Sequence, residues 1–468
     1  MPHVRPVGRG PRVRKEPEQT IVVRQRRARS FIGLLLGVVL AGCDAAKPKP
    51  ASPGDLKIVV SGDTAGWITP CGCTSNQSGG LLRRGSFLAG LPETKNDRVL
   101  YLDAGGAVHG NSEYDVLKIK VVVDGERLMG IAAHNLGRAE VALGVDTLRR
   151  MGRANNPLVS CNVRDADGKL VAEPLRTVDR SGRHIAITGV LWPQFAPAGL
   201  RVDEPRQAVL DVAAKARGTY DVLIVLAYMP QDDLEKLAAG LPEADAVIGG
   251  PTGQPIPPRS VGPTLVTSAT NKGKFLAVLD LPPKGPPSGR IVELDQTFPD
   301  DPAQKENLGQ FLAELERRDL SPAQTGLALP LPPGAPADYR VAGSESCAKC
   351  HSAEFSTWQH TAHSHAWQTL APRHFEVDPE CMQCHTTGYG LPGGFATRAT
   401  TMHRVSVGCE SCHGPSAAHV ADPHRRTPFR AGDQCTQCHD HENSPKFDFA
   451  SYWPRIRHGP ATQPAGNS

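Results

Sequence analysis

Four short stretches of this chain carry residues whose order could bind a porphyrin: Cys347-Ala348-Lys349-Cys350-His351, Cys381-Met382-Gln383-Cys384-His385, Cys409-Glu410-Ser411-Cys412-His413 and Cys435-Thr436-Gln437-Cys438-His439. Each has the spacing of a c-type haem attachment site. Two thiols three positions apart reach the two vinyl groups of one porphyrin, and the following imidazole reaches the iron as an axial ligand. Paired cysteines with this spacing also hold zinc. Zinc accounts for the thiols but not for a histidine after every pair, and exported thiol clusters tend to oxidise instead to disulfides. The spacing therefore predicts four covalently attached haem c groups, with His351, His385, His413 and His439 as proximal ligands.

The same region holds thirteen of the seventeen histidines of the chain, and Met382 and Met402 are its only methionines. Histidine is thus the economical second axial ligand. Three further segments carry a resemblance: Trp358-Gln359-His360-Thr361-Ala362-His363-Ser364-His365-Ala366, the run Gly408 to Pro415 with His419, and Phe447 to His458. Together with the haem motifs, over roughly residues 343–460, they resemble the tetrahaem cytochrome c554 family. The resemblance implies electron transfer outside the cytoplasm among closely packed haems, with His363, His419 and His458 as distal ligands. It also implies one five-coordinate haem, placed here on the second motif, for which His374 and His403 are nearby alternative ligands. His374 and His403 themselves, like His360, His365, His424 and His441, read better as solvent-exposed or propionate-binding residues.

The elements that position these groups change character along the chain. Residues 55–281 alternate β-branched runs (56–60, 98–102, 184–188 and 221–226) with helical stretches at 206–217 and 232–240, the pattern of a layered α/β domain. A helix is predicted over 302–319, followed by a stiff, charge-free, proline-rich linker at 327–336. The segments Ser61-Gly62-Asp63, Gly79-Gly80-Leu81-Leu82-Arg83-Arg84, Asp103-Ala104-Gly105 and Ala246-Val247-Ile248-Gly249-Gly250 fall in an order that resembles the 5′-nucleotidase branch of metallophosphoesterases. That resemblance implies a β-sandwich flanked by helices and a centre of two metals. Most ligand positions are altered, however: Asp63 is retained, but Ala65, Gly106, Val145 and Pro251 stand where ligands belong. Since one ligand cannot hold two cations, the expectation is a non-catalytic domain. For three other cysteines, Cys71, Cys73 and Cys161, the readings are one disulfide from Cys161 to Cys71 or Cys73 with a leftover thiol, a reactive or metal-binding Cys-Gly-Cys site, or buried free thiols, and spacing alone does not choose.

The fold class expected is thus an α/β metallophosphoesterase-like layered domain followed by a mainly helical, haem-packed multihaem cytochrome c domain. Its parts are a leader at 1–42, a tether at 43–54, the layered domain at 55–300, a helix and linker at 301–340, and the haem domain at 341–468. Residues 1–42 carry nine Lys/Arg against two Asp/Glu ahead of an apolar run, Phe31 to Leu40. Ten apolar residues suit a signal-peptide core better than a bilayer span. The ending Leu40-Ala41-Gly42-Cys43 resembles a bacterial lipobox, which implies lipid on Cys43, a mature N-terminus there and a periplasmic membrane face. Without the leader, the net charge of +4 becomes −3, a poor basis for nucleic-acid binding. The partners expected are therefore redox proteins, with the membrane reached through Cys43.

Overall fold

The computed structural model describes residues 54–70, 77–151, 156–427 and 431–458. The leader, Cys43, Cys71 and Cys73 lie outside the described residues.

Two six-stranded sheets pack face to face. One runs, in spatial order, Ser288–Glu293, Phe275–Leu281, Leu56–Ser61, Val99–Asp103, Ile131–Asn135 and Leu158–Val159. The other runs Ile256–Val261, Thr264–Ser268, Ala246–Gly250, Val222–Tyr228, Arg183–Leu191 and Arg176–Arg180. Parallel pairing dominates the middle of both sheets; antiparallel hairpins close both edges of the second sheet and one edge of the first, whose other edge, Leu158–Val159, is parallel. Alternation along each strand explains the layering. Leu56, Ile58 and Val60 point to the layer between the sheets, where they meet Ile185, Ile187, Ile224 and Ile248. Val59 points the other way, onto Phe87 and Leu88 of helix α1 (Leu81–Gly90). Helices Pro205–Lys215 and Gln231–Ala239 cover the outer face of the second sheet. The runs read from sequence as buried strands are strands, and the domain is the α/β layered sandwich expected.

Helix α2 (Glu113–Leu128) begins at a capping box in which Ser112 and Asp115 satisfy each other's backbone N–H groups. Helix α3 (Pro302–Arg318) starts at Asp301, whose carboxylate accepts from the Gln304 N–H at 2.9 Å, with Pro302 at the first helical position. The two helices bury Ile119, Val122, Phe311, Leu312 and Leu315 against each other. Each such side chain contributes roughly 1.5–3 kcal/mol by leaving water. Val377, from the cysteine-rich region, belongs to the same cluster.

Beyond Val341 the chain forms short helices and 3₁₀ turns. Among the described residues, the apolar cluster made within this region is small: Trp367, Leu370, Met382, Tyr389 and Phe395. So few buried side chains are a poor core for over a hundred residues, which leaves the interior to be filled by something other than the chain.

Candidate functional site

Each cysteine motif lies at or beside a helical turn: Ser344–Ala348 leads into Cys350 and His351, and Cys409–His413 and Ala431–Cys435 carry the third and fourth. The second lies on α4 (Pro379–His385), capped by the Asp378 carboxylate, which accepts from the Glu380 N–H. Helical spacing puts residues three apart on one face, so both thiols of a motif face one way.

The imidazoles form pairs across the gaps between motifs. The ring centroids of His351 and His419 are 6.2 Å apart, those of His363 and His439 6.1 Å, and those of His413 and His458 6.0 Å. Two imidazole nitrogens bound at about 2 Å to one metal put their ring centroids roughly 6 Å apart, so each pair fits a single iron between its rings. Burial lowers the pKa of His363, His413 and His439, and neighbouring imidazoles lower those of His363 and His413 further, favouring the neutral form that ligates metal. The other ring nitrogen is held in several cases. His419 Nδ1 donates to the Arg425 carbonyl at 3.0 Å, His458 Nδ1 to Ile456 at 3.0 Å and His385 Nδ1 to Ala366 at 2.6 Å, which fixes the tautomer that leaves Nε2 free.

A cavity of about 700 Å³ is lined by Cys347, Cys350 and His351 together with Cys409, Cys412 and His413, and also by His363, His419 and His458. The first and third motifs thus share one space, with the Cys347 and Cys409 thiols near each other. The second and fourth motifs meet in the same way through Cys384 and Cys438. None of the eight motif cysteines forms a disulfide with another described residue.

His385 has no imidazole facing it in a comparable pair among the described residues. His374 is engaged elsewhere: its two nitrogens face the Glu376 carboxylate at 3.0 Å and Glu316 of α3 at 3.4 Å. His403 is exposed. Met382 is buried in the aromatic cluster and Met402 is 47% exposed.

One structural residue of this region was missed in the sequence. Glu410, inside the third motif, is buried and accepts from the backbone N–H groups of Ala342, Gly343 and Ser416 at 2.6–2.8 Å. It ties the approach of the first motif to the third. Its signal was an acidic residue between the two cysteines of a motif.

In the layered domain, Asp63 accepts from the Thr270 hydroxyl at 2.8 Å, and burial raises its pKa. The Tyr228 ring occupies the room beside Gly106: a Cβ there would lie 2.8 Å from Tyr228 Cε2, and one on Gly137 would lie 3.1 Å from Cδ2. Asp103, Glu126 and His134 converge with ligand atoms within 4.8 Å of one another. That cluster is an ion network. His134 places Nδ1 2.7 Å from Glu126 and Nε2 3.3 Å from Glu140, and the Arg84 guanidinium lies 3.7 Å from Asp103 and 3.8 Å from Glu126. With both nitrogens on carboxylates, the imidazole is held well above its usual pKa. Burial pushes the Cys161 thiol up to about 11, in line with the buried-thiol alternative, while Cys71 and Cys73 lie outside the described residues.

A family model described as "Cytochrome c554 and c-prime" matches residues 346–414, which span the first three motifs. Cytochrome c-554 of Nitrosomonas europaea is 30% identical over 161 residues, an alignment covering 26% of this chain and 68% of that protein. The chain belongs to the cytochrome c554 family. As a member of that family it is a multihaem c-type cytochrome with covalently bound haem c. Beside its cytochrome c554 region, the chain is similar to a 5′-nucleotidase precursor from Thermus thermophilus, with a TM-score of 0.49 and 20% identity over 56% of this chain. The chain spans 59% of the length of that protein. A calcineurin-like phosphoesterase from Bacillus subtilis aligns with a TM-score of 0.47 and 18% identity, over 56% of this chain and 98% of that one.

Proposed function

We propose that this cytochrome is an exported, lipid-anchored tetrahaem protein that passes electrons between redox partners. The observation that carries this reading is the set of three imidazole pairs, each spaced for one iron and each joining a motif histidine to a histidine from another segment. In it, Cys347 and Cys350, Cys381 and Cys384, Cys409 and Cys412, and Cys435 and Cys438 attach the four haems. His351, His385, His413 and His439 are proximal ligands, and His419, His458 and His363 are distal ligands of the first, third and fourth haems. A haem so held takes up and releases one electron at a time. The chain's part is to fix the ligands and bring the groups together: the shared cavity of the first and third motifs and the Cys384–Cys438 contact favour short steps between neighbours.

The test is the mass of the exported protein after acid denaturation. Thioether bonds survive that treatment, so the mature chain should carry four haem masses. A chain without haem, made in a host able to attach it, would end the reading.

The domain reading is a tether at 43–54, a layered domain at 55–300, a connecting helix and linker at 301–340 and the haem domain from 341. The layered domain acts as a scaffold rather than as a phosphoesterase. Two observations favour this: the Tyr228 ring fills the room beside Gly106, and Asp63 is engaged by Thr270. Lipid on Cys43 would hold the protein at the periplasmic face of a membrane. Because stable anchoring takes more than one acyl chain, Cys43→Ala should move the protein from the membrane fraction to the soluble fraction, or leave it uncleaved. Membrane association after leader cleavage in that variant would point to another anchor.

A second reading is a redox enzyme that acts on a small nitrogen or sulfur compound. It is favoured by the second motif, where His385 lacks a facing imidazole among the described residues and His374 is bound by Glu316 and Glu376. A vacant axial position is what such a substrate would need.

A further inference from the structure

The layered domain touches the second motif through two side chains of α2. Tyr114 and Lys118 stand four residues apart and therefore on one face of the helix. The Tyr114 hydroxyl donates to the Asp378 carboxylate at 2.6 Å, and the Lys118 ammonium pairs with the Glu380 carboxylate. Asp378 and Glu380 are the cap and the second residue of α4, and Cys381 comes next. The Lys118 side chain is only 4% exposed. Its ammonium lies 4.7 Å from the centroid of the Tyr114 ring, and a Cβ on Gly66 would come within 3.0 Å of it. An ammonium taken out of water is costly unless paired, so this one is bound to its partner on α4. Lys120, two residues on, is exposed on the opposite side and pairs within its own helix with Asp124.

We propose that Lys118 and Tyr114 are positioning residues for the second haem. Through them the layered domain fixes the start of α4, and the Lys118–Glu380 pair sets the charge beside the group held by Cys381, Cys384 and His385. The proposal rests on the haem reading of that motif. Reduction adds one negative charge, so a nearby cation favours the reduced form and a nearby anion opposes it.

The experiment is a spectroelectrochemical titration of the full exported protein in the variants Lys118→Met, Glu380→Gln and Lys120→Met, with the haem count taken by mass. Lys118→Met should lower one of the haem midpoints, because it removes the cation and leaves Glu380 unopposed. Glu380→Gln should raise that same midpoint. Lys120→Met should leave it in place, and every variant should keep the wild-type number of attached haems. Shifts of the same sign in Lys118→Met and Glu380→Gln, or none in either, would overturn the proposal. A wild-type mass lacking the haem on Cys381 would instead overturn the haem reading, so the two failures are distinguishable.

Discussion

His458→Ala is expected to convert one haem from low-spin to high-spin while every haem stays covalently attached. The His413 and His458 rings stand 6.0 Å apart, and His458 belongs to a segment that holds none of the cysteine motifs. Removing its imidazole takes away an axial ligand and leaves Cys409, Cys412 and His413 in place. The same outcome is expected for His419→Ala, opposite His351, and for His363→Ala, opposite His439. Carbon monoxide binding to the reduced protein reports the change directly. Wild type should bind it at the second haem alone, and each variant at one haem more. A His458→Ala protein with an unaltered spectrum would remove His458 from the ligand set, and carbon monoxide binding to several wild-type haems would remove the bis-histidine assignment. Methionine raises haem potential relative to histidine, and here Met382 is packed among aromatic side chains while Met402 faces solvent. The bis-histidine haems should therefore titrate below those of His/Met cytochromes.

The proposed attachment residues were legible because their chemistry is local. Two thiols and an imidazole must be close in sequence to grip one porphyrin, so spacing alone reveals them. Which distal histidine faces which motif was not legible. His419 follows the third motif by six residues yet faces His351 of the first, and His363 follows the first yet faces His439 of the fourth. Such pairings are set by how short helices pack around shared space, and no periodicity encodes that. The strands of the layered domain were readable from their β-branched runs. What was missed is its buried charge. Glu126 stands at the spacing of Ile119, Val122 and Val123 on the covered face of α2, and an acid at an apolar position was the available signal. The residues Ala65, Gly106, Val145 and Pro251 were visible in the sequence, whereas Tyr228 became identifiable as the ring beside Gly106 only once the two sheets were packed.

That buried charge leads to the second large effect. Arg84 is fully buried between Asp103 and Glu126, and its guanidinium also donates to Thr64 at 2.8 Å. Arg84→Met fills similar space but removes the guanidinium and leaves Asp103 and Glu126 with His134 alone beside them. Breaking a buried ion network from one side typically costs about 3–5 kcal/mol, a large part of the roughly 5–15 kcal/mol that holds a domain folded. The layered domain should therefore unfold at clearly lower urea concentration, while the covalently attached haems are retained. The network also fixes a pH dependence. Burial raises Glu126 to about 7 from an ordinary 4.5. Burial opposes charge on His134, but Glu126 and Asp103 outweigh it and hold the imidazole well above its ordinary 6.5. Both groups keep protons in the folded domain that the unfolded chain releases. The stability they contribute is complete at low pH, and the Glu126 part is lost as pH rises from about 4.5 through 7. The His134 part is lost above 6.5, as pH rises through its elevated folded value. Glu126→Gln keeps a hydrogen-bonding group without a titrating one, so urea midpoints measured from about pH 5 to 8 should fall less steeply in the variant than in wild type. Equal slopes would mean that Glu126 is ionised in the folded domain throughout this range, and that Arg84 and His134 together stabilise its charge against burial.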